Sequence, residues 1–228
     1  NIIIIILIFF IVLFLYLHIF FHLKTSNDLE IYELAQPSKE RFDEICDLRQ
    51  PILFSYNANY NEIKEESMLE NFRAFDVRIR NLKQDAGETV ELLPISLKNA
   101  FKLLEEDTES KYVSEGNIEF LEETSLIKTI KSKDEYIRPR MMASAVYDYI
   151  IGSKLATTPL RYDVNYRNYI VPINGKISVK LTPPKSKRYL NLIKDYDHFE
   201  FKSAMNPWDV QAKYKADYEK IKFFEITI

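Results

Sequence analysis

Residues 157–184 read TTPLRYDVNYRNYIVPINGKISVKLTPP, and the fold assigned to the chain turns on this stretch. Its outline is that of two strands joined by a turn. Tyr, Val and Ile recur in the first arm and Ile, Val and Leu in the second, with Gly175 at the turn between them. Within the second arm, Lys176, Ser178 and Lys180 alternate with Ile177, Val179 and Leu181, the period of a strand with one apolar face.

The texture around the stretch is similar. From about residue 138 onward, "SAVYDYIIGS", "YRNYIVPI", "KISVKLTP" and "IKFFEITI" read as strands separated by turn-forming residues, the pattern of an antiparallel sandwich or barrel. Helical signals lie earlier. Ser38 can cap a helix over "KERFDEICDLRQ" with Phe42, Ile45, Cys46 and Leu48 on one face, and Pro51 ends it. "PILFS" reads as a short buried strand and "FDVRIR" (75–80) as a half-buried one, while Ser96 opens a helix that turns Leu97, Ala100, Phe101 and Leu104 inward. "SKYVSEGNIEFLEE" (110–123) reads as a solvated connection with no function. Helices gathered ahead of a block of strands predict a mainly β fold with an N-terminal helical portion, and no strand–helix alternation suggests a parallel sheet.

The first 23 residues carry no formal charge. A helix of that length crosses a hydrocarbon core of roughly 30 Å, so residues 2–23 predict a single-pass membrane anchor. A signal peptide has a shorter apolar region and a small-residue cleavage pattern, which is missing before Glu33. His18 and His22 near the end of the run suit an interfacial position. The flanking Lys24, Lys39 and Arg41 do not set an orientation.

Roughly two hundred residues remain, about one domain. Apolar residues make up 46% and charged ones 29%, and 15 Tyr and 15 Phe stand against 4 Gly, a globular composition. A net charge of −3 gives no basic field for nucleic acid. The single cysteine, Cys46, excludes an internal disulfide, which leans towards a reducing compartment. With Asn1 at the start and the strand-like "KFFEITI" at the end, the chain reads as a piece of a longer protein. The expected organisation is an anchor over 1–23, a helical and strand portion over 24–136, and a strand-rich core over 137–228 that ends short of a full barrel.

The segment "RPRMMASAVYDYIIGSKLATTPLRYDVNYRNYIVPINGKISVKLTPP" resembles the cupin-like hydroxylases related to the JmjC domain. That family folds as a double-stranded β-helix, or jelly-roll, and comprises iron(II) and 2-oxoglutarate oxygenases. Its signature is Gly-Ser, then Thr-Pro-Leu-His-x-Asp, then a strand, a Gly turn and a strand ending in Pro-Pro. Here the signature stands as Gly152-Ser153, Thr158-Pro159-Leu160-Arg161-Tyr162-Asp163, Gly175 and Pro183-Pro184. The resemblance covers about residues 137–184, and "PSKERFDEICDLRQPILF" is consistent with the family's lead-in helix and strand.

The resemblance implies a facial triad of two histidines and a carboxylate around iron. Asp163 keeps the carboxylate place, but Arg161 stands where the first histidine belongs. A guanidinium stays protonated and offers no lone pair to a metal. It is a natural partner for Asp163, as a buried pair in the former metal pocket. That pair either stabilises the interior without a ligand or cradles a small carboxylate. The second histidine would come from beyond Ile228, and His198 falls too soon after Asp163 to serve. For the oxoglutarate, Thr158 and Asn168 match hydrogen-bonding positions of the family, while its lysine position falls on Ile177, beside Lys176.

These departures predict an anchored, cupin-like module that has lost iron-dependent catalysis and binds a protein or a small carboxylate, or serves structurally. The alternative is an iron(II)/2-oxoglutarate-dependent hydroxylase with an atypical site at Asp163, and only that reading calls for either cofactor. In "MNPWDVQAKYKADYEK" (205–220), Trp208 after a turn more often caps a core than anchors a partner, and a solvent-facing ring would favour a protein-interaction module.

Overall fold

The uncharged head forms one helix, α1 (Ile2–Leu23), about 33 Å long at the α-helical rise. Its stretch Ile2–Phe21 has a mean hydropathy of 3.3 and no buried portion, so the helix is long and apolar enough to cross a membrane. The computed structural model describes residues 2–83, 92–196 and 200–228, without the side chain of His22. His198, weighed above as a ligand, lies outside the described residues.

After α1 come β1 (Tyr32–Leu34), α2 (Lys39–Cys46) and β2 (Ile52–Phe54). The Ser38 side chain accepts from the Arg41 amide at 3.3 Å, the cap expected from sequence, and α2 buries Phe42 and Ile45. Leu48 lies past the helix end and is exposed. Strands β1 and β2 pair in parallel, Tyr32 opposite Ile52.

Then follow α3 (Glu65–Phe72), β3 (Asp76–Asn81), β4 (Leu93–Ser96), α4 (Leu97–Glu106), β5 (Tyr112–Ser114), α5 (Ile118–Glu123), α6 (Leu126–Lys133) and the two-residue β6 (Ile151–Gly152). Antiparallel pairing gives the sheet order β4-β3-β5-β6. The alternation seen in "FDVRIR" holds: Val77 and Ile79 of β3 are buried and Arg78 and Arg80 lie on the other face. Val77 and Ile79 pack with Met68, Leu97, Ala100, Leu104, Phe120, Leu121 and Leu126 from the surrounding helices, and this cluster is the main core. Each of the larger side chains among them, Ala100 aside, contributes about 1.5–3 kcal/mol on burial.

The last portion holds β7 (Ser178–Leu181), β8 (Leu192–Asp195), β9 (Glu200–Ser203), the single-turn α7 (Lys215–Tyr218) and β10 (Phe224–Thr227). Strands β7 and β10 pair antiparallel, as do β8 and β9. The fold therefore combines an N-terminal apolar helix with several antiparallel sheets, and because more of the described residues lie in helices than in strands, the expectation of a mainly β fold is corrected.

The two-stranded reading of residues 157–184 is corrected. Its second arm is β7, but β7 pairs with β10, and the first arm forms only one bridge, Arg161 opposite Lys202. "YRNYIVPI" makes no ladder because its side chains hold it elsewhere. Tyr166 Oη donates to Asp47 at 2.9 Å, Arg167 Nη1 to Asp43 at 2.6 Å and Tyr169 Oη to the Ile137 carbonyl at 2.8 Å. "SAVYDYIIGS" contributes only β6, since Asp148 is spent on the Gly116 and Asn117 amides.

The reading of 110–123 as a solvated connection is also corrected. It forms β5 and α5 and buries Ser114, Glu115 and Asn117. Asn117 is 1% exposed; its Nδ2 donates to Ser114 Oγ and the Tyr149 carbonyl, and its Oδ1 accepts from the Arg78 amide. Replacing Asn117 by Ala strands the Arg78 N–H and the Tyr149 carbonyl in the interior, so denaturant unfolding is expected to show a loss of about 2–4 kcal/mol.

Candidate functional site

Arg161 lies on a short extended segment against β9. Ser203 N donates to the Leu160 carbonyl at 2.7 Å and Tyr162 N to the Phe201 carbonyl at 3.1 Å, which brackets Arg161 and Lys202 as a directly opposed pair. Side chains of such a pair project to the same face at close quarters. Two cations so placed repel, and the arrangement stands because carboxylates lie between them.

Those carboxylates are Glu115, just past β5, and Glu200, at the start of β9. Arg161 Nη2 bonds Glu115 Oε2 at 2.9 Å, and Arg80 Nη1 bonds Glu115 Oε1 at 2.6 Å and Glu200 Oε1 at 2.8 Å. Lys202 Nζ lies 3.2 Å from Glu200 Oε2. The result is a continuous chain, Arg161–Glu115–Arg80–Glu200–Lys202, with three cations and two anions. Its centre is shielded: the Arg80 and Glu115 side chains are 11% and 10% exposed. Its outer end is not, since the Arg161 side chain is 36% exposed.

The titration behaviour follows from this geometry. Burial alone pushes the Glu200 carboxyl up, but the Arg80 bond and the Arg80 and Lys202 charges outweigh it and hold it below its ordinary value. Burial likewise works against the Arg80 cation, and Glu200 and Glu115 more than compensate, raising its pKa.

The sequence-predicted residues occupy this neighbourhood differently than expected. The buried Arg161–Asp163 pair is not what forms. Asp163 is exposed and accepts from Asn168 Nδ2, while Arg161 takes Glu115 as its carboxylate. Asp163 is free to turn away because the chain leaves β9 after Tyr162, so the two-residue periodicity of a strand no longer holds its side chain beside Arg161. Thr158 is half-buried, and its neighbour Thr157 accepts at Oγ1 from Asn206 Nδ2 at 2.9 Å. Lys176 and Ile177 are exposed.

Neither cofactor of the family fits these residues as they stand. Iron would need a lone pair at 161, where there is a guanidinium bound to Glu115, and Asp163 is engaged with Asn168. Oxoglutarate in this family's mode would need the coordination positions of a bound iron and Asn168 for itself, and Asn168 is engaged with Asp163. Among the described residues, no three His, Cys, Asp or Glu side chains gather as a metal-holding group.

Two further sequence readings find their place here. Trp208 is half-buried beneath Lys180, whose Nζ lies 4.1 Å from the ring centre and donates to the Pro207 carbonyl at 3.0 Å. Lys180 is therefore not turned away from apolar surface as the alternation in "KISVKL" suggests. Cys46 is half-buried, and burial pushes its thiol up, which disfavours the nucleophilic thiolate.

Sequence reasoning missed Glu115, Arg80 and Glu200. The available signal was Arg80 at an alternating position of "FDVRIR", a cation on a strand whose far side faces the body of the protein. Its partners lie 35 and 120 residues away and share no motif. No family model matches the chain, and no curated protein matches it.

Replacing Arg80 by Met leaves two shielded carboxylates without their shared cation, and unfolding should lose about 3–5 kcal/mol. Arg161→Ala, at the exposed end, should lose under about 1 kcal/mol. The Glu200 contribution is fully present above the ordinary glutamate value, about 4.3, and is lost as pH falls through the lower folded value. Glu200→Gln should flatten that acid limb in pH-dependent unfolding.

Proposed function

We propose that the chain is a membrane-anchored, cupin-like (JmjC-related) protein that lacks iron-dependent catalysis and acts as a binding or structural module. The observation that carries this reading is the engagement of Arg161, at the family's histidine position, with Glu115 at 2.9 Å. A residue that cannot ligate iron has been built into a charge network reaching across two sheets, so restoring a metal seat would require dismantling the network.

The lineage rests on the Thr158-Pro159-Leu160-x-x-Asp163 motif with its Gly152-Ser153 and Pro183-Pro184 flanks. On this reading the double-stranded β-helix is the parent architecture, and the antiparallel pairs β7–β10 and β8–β9 are compatible with its remains. The anchor rests on the apolar length of α1.

The ligand class that suits the outer end is a small carboxylate, because Arg161 is the exposed member of the network and three cations face two anions. The half-buried Trp208 beneath Lys180 leaves little ring surface for a protein partner.

Anaerobic titration of the full chain in nanodiscs with iron(II) and 2-oxoglutarate tests the reading. The expected result is no saturable binding of the pair, and Arg161→His should leave it unchanged because Asp163 remains engaged with Asn168. Tight binding of both to the native chain would overturn the proposal in favour of a hydroxylase.

A further inference from the structure

Several apolar side chains of the 162–171 loop are left uncovered by the fold: Val164 is 67% exposed, Ile170 56% and Val171 36%. In the middle of the same loop, Tyr166 is fixed to the end of α1. Its ring lies 5.8 Å from that of Phe21. The Arg49 guanidinium sits 3.9 Å from the Tyr166 ring centre and 5.0 Å from that of Phe21, and donates to the Tyr166 carbonyl at 3.1 Å and the Phe21 carbonyl at 3.3 Å.

Phe21 is the last residue of the apolar stretch of α1. If α1 spans a bilayer, Phe21 marks the depth at which the chain leaves hydrocarbon, and the clamp holds Tyr166 at that depth. Tyr and Arg suit that level, with an apolar body and a polar tip, and here the tips are satisfied within the protein, Tyr166 Oη by Asp47 and Arg49 by the two carbonyls. Val164 is two residues from Tyr166, at most about 7 Å along the backbone, and Ile170 is four residues away. Apolar side chains at that level meet the boundary between acyl chains and headgroups.

We propose that the loop 162–171 seats in the interfacial zone of the bilayer beside α1, so that the chain holds the membrane at two points, a span and a monotopic loop. The inference rests on α1 being a span. A bilayer is the favoured occupant because the loop is continuous, through Tyr166, Arg49 and Phe21, with the point where α1 leaves the lipid.

The test uses the full chain with Cys46→Ser and single cysteines in place of Leu13, Val164, Ile170 or Leu93, each labelled with bimane in phosphatidylcholine nanodiscs. Leu93 is 58% exposed on the edge strand of the four-stranded sheet and serves as the aqueous reference. The expected result is loss of fluorescence at Leu13 with a nitroxide deep in the acyl chains, loss at Val164 and Ile170 with a nitroxide near the headgroups, and none at Leu93. Val164→Trp in a Trp208→Phe background, read with brominated lipids, gives the same comparison without a label. Quenching at Leu13 with none at 164 and 170 overturns the inference and leaves the anchor standing. No quenching at Leu13 overturns the anchor reading and the inference with it. A position 164 shielded from aqueous iodide yet untouched by lipid quenchers would put a protein on the loop, which also overturns the inference.

Discussion

One guanidinium joins parts of this protein that the chain keeps far apart. Arg80, in the centre of the four-stranded sheet, bonds a carboxylate beyond β5 and another on β9, so the helical half and the strand-rich half meet through it. Side chains that are about one-tenth exposed cannot leave such charges to water. Each carboxylate therefore depends on the cation, and the cation on both carboxylates. The position of β9 follows from this, and with it the segment 160–162 that lies along β9 and carries Arg161.

The consequence for function lies in what Arg161 can still do. A histidine at that place on a family barrel would present a lone pair; the arginine presents a second arm to Glu115. At this position Arg161 extends the Glu115 network, which links β3 to β9. At the exposed end of the network an anion could compete with Glu115 for the Arg161 guanidinium. The nearby loop is meanwhile held towards α1 by the Arg49 clamp.

Local signals were legible in the sequence where one residue type decides the outcome within a few positions. The charge-free run of α1, the Ser38 cap and the alternation of Val77 and Ile79 all transferred directly to the structure. The 157–184 stretch misled because its strand-like composition is satisfied by side chains. Tyr166, Arg167 and Tyr169 each bond a distant element, and no ladder is needed. The segment 110–123 misled in the opposite way: Glu115 and Asn117 look like solvent residues until their partners, dozens of residues off, are brought to them. Long-range polar pairing leaves no periodic trace, so neither the network nor its two carboxylates could be read from spacing.

The central claim is that Arg161 belongs to the Glu115 network and not to Asp163. Two double-mutant cycles measure this most directly, Arg161→Ala with Glu115→Ala and Arg161→Ala with Asp163→Ala, each read by denaturant unfolding of the full chain. The account predicts a coupling of at least about 0.5 kcal/mol between 161 and 115 and none between 161 and 163. Coupling confined to 161 and 163 would contradict it.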